Sequence, residues 1–224
     1  MRHYLLQLAT TAAADQNMDF FTMAVKGGWL MIPLLLLSIL GVYIFIERFL
    51  AIKKASIIDP SFMNSIRENM IQGKIDAALA QCQANNTPIS HMIEKGIKRI
   101  GRPLNDIQAS IENVGNLEIS KLEKGISILA TIAGGAPMIG FLGTVLGMVE
   151  AFFRMSSAGN NLDISLLSGG IYVAMITTVG GLIVGIPALF GYNYLVSYIN
   201  KVIFTMEANT SEFMDLLYVT QKEQ

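Results

Sequence analysis

The sequence predicts an all-α membrane protein with three transmembrane helices, the second and third long enough to extend into a cytoplasmic helical domain. Three observations predict it. Hydrophobic residues make up 52% of the 224 and charged residues only 15%, against about 25% charged in an ordinary soluble domain. Asp, Glu, Lys, Arg and His are absent from residues 27–46, 125–149 and 164–200, and each run exceeds the roughly 18 apolar residues that mark a spanning helix. Between the runs the apolar residues recur at helical spacing, as in Ile107, Ile111 and Val114 and then Leu122, Ile126 and Leu129.

Taken in order, residues 1–25 start with one Arg, a short apolar stretch and small residues, which has a faint look of a signal peptide. Gln7 and the threonines at 10 and 11 interrupt that stretch, so an interfacial amphipathic helix is the better expectation. The first span falls within 26–50, with Trp29 as an interfacial anchor and Glu47-Arg48 closing the far end. Residues 51–124 are the one sizeable hydrophilic block. Asp59-Pro60 reads there as an N-cap with proline in the first turn. Gly73, the Asn85–Pro88 stretch and Gly101-Arg102-Pro103 read as helix breaks. The last helix of the block is expected to run unbroken into the second span, 125–153.

A polar hairpin at 154–163 leads to the third span, 164–200, and a C-terminal helix or tail fills 201–224. The uncharged third run of 37 residues would be about 55 Å long as a helix, whereas the hydrocarbon core is about 30 Å thick. The third helix must therefore project beyond the membrane. Residues 48–124 hold 11 of the 16 Lys and Arg, so the positive-inside rule places that block and the C-terminus in the cytoplasm and the N-terminus outside.

Composition also narrows function. A net charge of −1 lacks the basic footprint that nucleic-acid binding needs. The single Cys82 allows no internal disulfide, and His3 and His91 are too far apart in sequence to suggest a shared metal site. Neither a metal nor a cofactor motif is present, and nothing near the membrane surface resembles a nucleophile or an acid–base pair, so an enzyme is not expected.

The spans themselves carry small residues and hydroxyls. Gly143 and Gly147 form a GxxxG pair, Ala136 and Gly140 a second small pair, and Thr177, Gly181 and Gly185 lie four apart, with Gly170 and Ala174 preceding Thr178 on a neighbouring stripe. Small residues let helix backbones approach in lipid, so the second and third helices should form an inner layer and the leucine-rich first helix should face lipid. Pro137 and Pro187 free the carbonyls of Ala133 and Ile183, which reads either as two kinks or as a polar path or partner contact. Thr144, Thr177 and Thr178 place hydroxyls at membrane depth. Each could simply bond its own i−4 carbonyl, but their position on the glycine-rich faces points inward. No ionisable group lies centrally in any span, and Glu150 sits at the outer end of the second. Proton relays normally use such groups, so a conducting protein of this kind would take its titrating group from a partner.

The stretch ATIAGGAPMIGFLGTVLGMVEAFF followed by GGIYVAMITTVGGLIVGIPALFGYNYL resembles the ExbB/TolQ/MotA proton-channel family. The resemblance rests on Ala136-Pro137, Gly143-Thr144-Val145, Thr177-Thr178 and the run from Gly181 to Pro187, and extends over about residues 26–217. Three spans favour its ExbB and TolQ branch. The resemblance implies a homo-pentamer in the bacterial inner membrane, with the second and third helices around a central pore. Two copies of an ExbD- or TolR-like single-span protein would occupy that pore and bring a protonatable aspartate. It implies an inner-membrane motor that uses proton flow to energise a TonB- or TolA-like protein. Thr144 and Thr178 would then line the pore. Where many relatives carry a glutamate five residues before the second threonine this chain has Val173, so either Tyr172 or Thr177 would supply local polarity or the glutamate would be dispensable for conduction. A non-conducting scaffold, whose glycines serve packing alone, is the competing expectation.

Overall fold

The computed structural model describes residues 27–57, 61–157 and 164–222. Every regular element among them is helical: α1 (Met31–Ala55), α2 (Phe62–Ile71), α3 (Ile75–Asn85), α4 (Pro88–Ile97), α5 (Leu104–Glu123), α6 (Ile126–Ser157) and α7 (Ile164–Lys222). Three helical stretches, containing α1, α6 and α7, are long and apolar enough to cross a membrane. The N-terminal helix expected in 1–25, the Asp59-Pro60 cap and most of the hairpin, from 158 to 163, lie outside the described residues. The part of that hairpin that is described, Arg154 to Ser157, still belongs to α6.

The breaks follow local chemistry. Gly73 lies in the turn after α2, Asn86 takes the left-handed conformation at φ 43° after α3, and Gly101-Arg102-Pro103 separates α4 from α5. α4 opens with a reciprocal cap: the Thr87 hydroxyl accepts from the Ser90 amide at 3.3 Å, and the Ser90 hydroxyl accepts from the Thr87 amide at 2.8 Å. Pro88 follows at the first helical turn, where its missing N–H costs nothing. The expected continuity of α5 into α6 is interrupted at one point. Lys124 leaves helical geometry at ψ 125° and Gly125 has φ +82°, so the chain turns there before α6 starts. A left-handed residue costs an L-amino acid about 1–2 kcal/mol and glycine almost nothing, which is why the turn falls on the glycine.

The chain divides into two compact units. One joins the described residues up to Ser38 with Gly134–Gly185. In it Leu34 is buried, with Ile32, Leu35 and Leu36 exposed. A methyl group on Gly180 would lie 3.0–3.6 Å from the Met31 and Leu34 side chains, so the start of α1 packs on α7 there.

The other unit joins Ile39–Ala133 with Ile186–Gln224. Its core is made of Ile52, Ile66, Ile93, Ile107, Ile111, Leu195, Met206 and Phe213. α4, α5 and α7 converge at Gly96, where a methyl group would meet Phe213 at 2.6 Å and Ile111 at 2.8 Å. Phe49 packs its ring against Phe45, Tyr194 and Tyr198 at centroid distances of 6.2–6.4 Å, and the Tyr198 hydroxyl shares a 2.8 Å hydrogen bond with Ser56. Arg67 pairs with Glu212 at 2.7 Å, tying α2 to α7. The rest of α1 exposes Ile39, Val42, Tyr43, Ile46 and Leu50. Both parts of α1 thus expose a broad apolar surface.

Candidate functional site

Within the first unit α6 and α7 run antiparallel along one seam of small residues. A methyl group on Gly140 would lie 2.8 Å from the Thr177 carbonyl oxygen and 3.1 Å from the Gly181 Cα. One on Gly181 would lie 2.6 Å from the Ala136 carbonyl oxygen, and one on Gly147 2.9 Å from the Ala174 Cβ. Gly143 faces Thr177 directly, and Gly170 faces Ala151. Thus Ala136, Gly140, Gly143, Gly147 and Ala151 on α6 oppose Gly181, Thr177, Ala174 and Gly170 on α7. The spacing predicts Gly170 and Ala174 on a stripe beside that of Thr177 and Gly181; in the structure they form one stripe. Spacings of four, three and four residues keep a single face on the partner helix, whereas steps of four alone drift around it. Gly185 is buried further along α7. Pro137 and Pro187 lie inside uninterrupted helices, the first half-buried and the second exposed.

This close approach brings two hydroxyls together. Thr144 and Thr178 are both half-buried and their hydroxyls are hydrogen-bonded to each other across the seam. The Thr144 hydroxyl also reaches the Ala174 carbonyl of α7 at 3.2 Å, and the Thr178 hydroxyl the Gly140 carbonyl of α6 at 3.2 Å. Each threonine therefore reaches the carbonyl that lies four residues before the other. The local alternative is visible elsewhere: Thr131, Thr205 and Thr210 bond their own i−4 carbonyls at 2.8–2.9 Å. Thr144 keeps only a long 3.4 Å contact of that sort, to Gly140. In a medium without water these crossed bonds satisfy hydroxyls that would otherwise be costly.

Thr177 behaves differently from its neighbour. It is only 2% exposed, and its hydroxyl donates to the Ala174 carbonyl at 2.7 Å within its own helix. It lies in the seam against Gly143, away from any open surface of the unit. Tyr172 and Val173 are half-buried one turn before the pair. Glu150, near the C-terminal end of α6, is exposed and ion-paired with Arg154. Among the described residues no group of His, Cys, Asp or Glu could hold a metal ion. The arrangement can orient and exchange hydroxyl protons, but it contains no group that would itself take a proton near neutral pH.

Sequence reasoning found both threonines and most of the seam. It missed Ala151 and the role of the Gly140 and Ala174 carbonyls, which become visible only when the two helices are placed in register.

Outside the spans two titratable groups are displaced. Burial, reinforced by the nearby Glu94 carboxylate, pushes the Cys82 thiol from 9.0 up to about 12. The Lys98 ammonium, bonded to Glu94 at 2.6 Å, holds that carboxyl below its ordinary range, with Gln83 adding a second hydrogen bond.

Residues 84–208 match the profile of the MotA/TolQ/ExbB proton channel family. Among curated proteins the chain is 31% identical over 176 residues to a biopolymer transport protein ExbB homolog of Methanothermobacter thermautotrophicus, covering 77% of this chain and 62% of that relative. It is 28% identical over 195 residues to an ExbB-like biopolymer transport protein of Synechocystis, covering 86% of this chain and 76% of the relative. It is also 37% identical over 100 residues to the Tol-Pal system protein TolQ of Haemophilus influenzae, covering 45% of this chain and 42% of the relative. The chain thus spans under two thirds of the length of the first and third of these relatives.

Proposed function

The chain belongs to the MotA/TolQ/ExbB proton channel family, and on that premise we propose that it is an ExbB-like motor subunit of the bacterial inner membrane. In this reading five copies surround two copies of an ExbD- or TolR-like single-span protein, with the N-terminus periplasmic and the C-terminus cytoplasmic. The assembly uses the proton motive force to energise a TonB-like protein and, through it, transport across the outer membrane.

The observation that carries the reading is the crossed Thr144–Thr178 pair. Packing alone does not call for it, because the neighbouring Thr177 bonds within its own helix and the glycines suffice for close approach. The uncharged runs at 125–149 and 164–200 fit a division of labour in which these hydroxyls meet a carboxyl group brought by the partner.

The test is proton uptake into vesicles holding the chain together with the single-span protein encoded beside it. Thr144→Val or Thr178→Val is expected to lower uptake at least about tenfold, the scale of losing one site of differential hydrogen bonding, with the assembly intact. Uptake equal to wild type in both variants would leave the non-conducting scaffold as the reading. The 37% identity to a TolQ protein favours a second reading, a subunit of Tol–Pal envelope maintenance working on a TolA-like protein. Deleting the gene separates the two: lost uptake of siderophore-type cargo indicates the first, leakage of periplasmic contents the second.

A further inference from the structure

The two hydroxyls of the pair differ in how crowded their carbonyl acceptors are. The pair holds two hydroxyl protons, and the bond between Thr144 and Thr178 uses one of them. Two arrangements use contacts of 3.2 Å across the seam. In one, Thr144 donates to Thr178 and Thr178 donates to the Gly140 carbonyl at 3.2 Å. In the other, Thr178 donates to Thr144 and Thr144 donates to the Ala174 carbonyl, also at 3.2 Å. By distance alone these two are equivalent; a third, in which Thr178 donates to Thr144 and Thr144 to the Gly140 carbonyl of its own helix, relies on the longer 3.4 Å contact. The Ala174 carbonyl, however, already accepts from the Thr177 hydroxyl at 2.7 Å, in addition to the amide bond that any carbonyl inside a helix accepts. Its two lone pairs are therefore taken. The residue that stands before Thr144 as Thr177 stands before Thr178 is Gly143, which has no hydroxyl, so the second hydroxyl near the Gly140 carbonyl is that of Thr144 at a long 3.4 Å, against 2.7 Å for Thr177 at Ala174.

We propose that Thr177 is a positioning residue that sets the direction of the Thr144–Thr178 hydroxyl pair, keeping Thr144 as its open acceptor. The inference rests on the proton-conducting reading above. When a protonated carboxylic acid of the partner delivers a proton to the Thr144 oxygen, the proton Thr144 already carried passes to Thr178. The one Thr178 carried gives up its bond to the Gly140 carbonyl and passes to a water molecule at the half-exposed side of Thr178, so the partner's acid is left as a carboxylate and the water as hydronium. One proton enters and one leaves, and the pair is left pointing the other way. It must turn back before the next transfer, and Thr177, by occupying the Ala174 carbonyl, favours that return.

The same vesicles test this with Thr177→Val and Thr177→Ser, read as uptake against external pH and as native mass. Valine keeps the volume that fills the space against Gly143 and replaces the hydroxyl with a methyl group. Thr177→Val is expected to lower the maximal rate about fivefold, the factor that one ordinary hydrogen bond of about 1 kcal/mol supplies, without moving the pH of half-maximal uptake. Thr177→Ser is expected to restore the rate, with the assembly mass unchanged in both. If Thr177→Val conducts like wild type while Thr144→Val does not, the positioning role is wrong and the proton-channel reading stands. Equal losses in the valine and serine variants, or a broken assembly, would make Thr177 a packing residue and overturn the inference. Should Thr144→Val and Thr178→Val also conduct normally, the reading on which it rests fails first.

Discussion

Thr144 and Thr178, 34 residues apart in the chain, bond to each other and each reaches the backbone carbonyl four residues before its partner. This crossed arrangement depends on glycines at 140, 143 and 181, because a single added methyl group at 140 or 181 would collide with the opposite backbone. Removing one hydroxyl should cost the fold little, since interhelical hydrogen bonds in membranes average about 0.6 kcal/mol. Thermal unfolding of Thr178→Val in detergent is therefore expected to stay within a few degrees of wild type. A collapse of the folded protein would mean the pair is structural first.

The seam makes the opposite prediction for its glycines. Gly181→Leu puts a side chain where a methyl group already lies 2.6 Å from the Ala136 carbonyl, and overpacking of this kind costs about 1–3 kcal/mol or more. Gly143→Leu meets the Thr177 side chain in the same way. Both variants should lose their assembly in native gels and unfold at clearly lower temperature. Leucine at Gly169, where a methyl group would meet nothing within 4 Å, should be tolerated by the isolated subunit.

Cys82 is fully buried and its thiol is pushed up to about 12 by burial and by the Glu94 carboxylate. Since only the thiolate reacts, maleimide at pH 8 should label it slowly in the native protein and rapidly once the helical unit is unfolded. The linkage has a defined sign. A thiol pKa raised in the folded state gives stability that is complete below 9.0, the ordinary value, and is lost as pH rises from there toward about 12. Stability of wild type relative to Cys82→Ala should therefore fall over that alkaline window and not below it.

Gly125 makes the turn between α5 and α6 at φ +82°, with open space around it. Gly125→Ala should thus destabilise by about 1 kcal/mol through backbone strain alone, and Gly125→Asn by less, because asparagine tolerates the left-handed region better. Chemical denaturation of the two variants measures the difference. Equal stability of the alanine variant and wild type would show that the turn relaxes without the left-handed residue.

Much of this architecture is legible in the sequence. The uncharged runs gave the three long apolar helices, because charge is the costliest thing to place in lipid, and glycines and prolines gave the breaks within the hydrophilic block. Gly125 escaped notice because apolar spacing continues across it, from Leu122 to Ile126, and periodicity carries no information about one residue's φ. The threonines stood out by chemistry, yet their roles did not. Thr177 and Thr178 are adjacent and identical, and only the facing Gly143 and the register of the two helices turn one into the seam and the other toward Thr144. Register between helices is a property of the packed pair, and no spacing within either helix contains it.

The central claim is that this chain forms the shell of a proton-driven motor around a partner that brings the carboxyl group. The native mass of the detergent-extracted complex, co-expressed with the single-span protein encoded beside it, tests that claim most directly. Five copies of this chain holding two of an aspartate-bearing partner is the predicted result. A lone subunit, or an oligomer that retains no such partner, would contradict it.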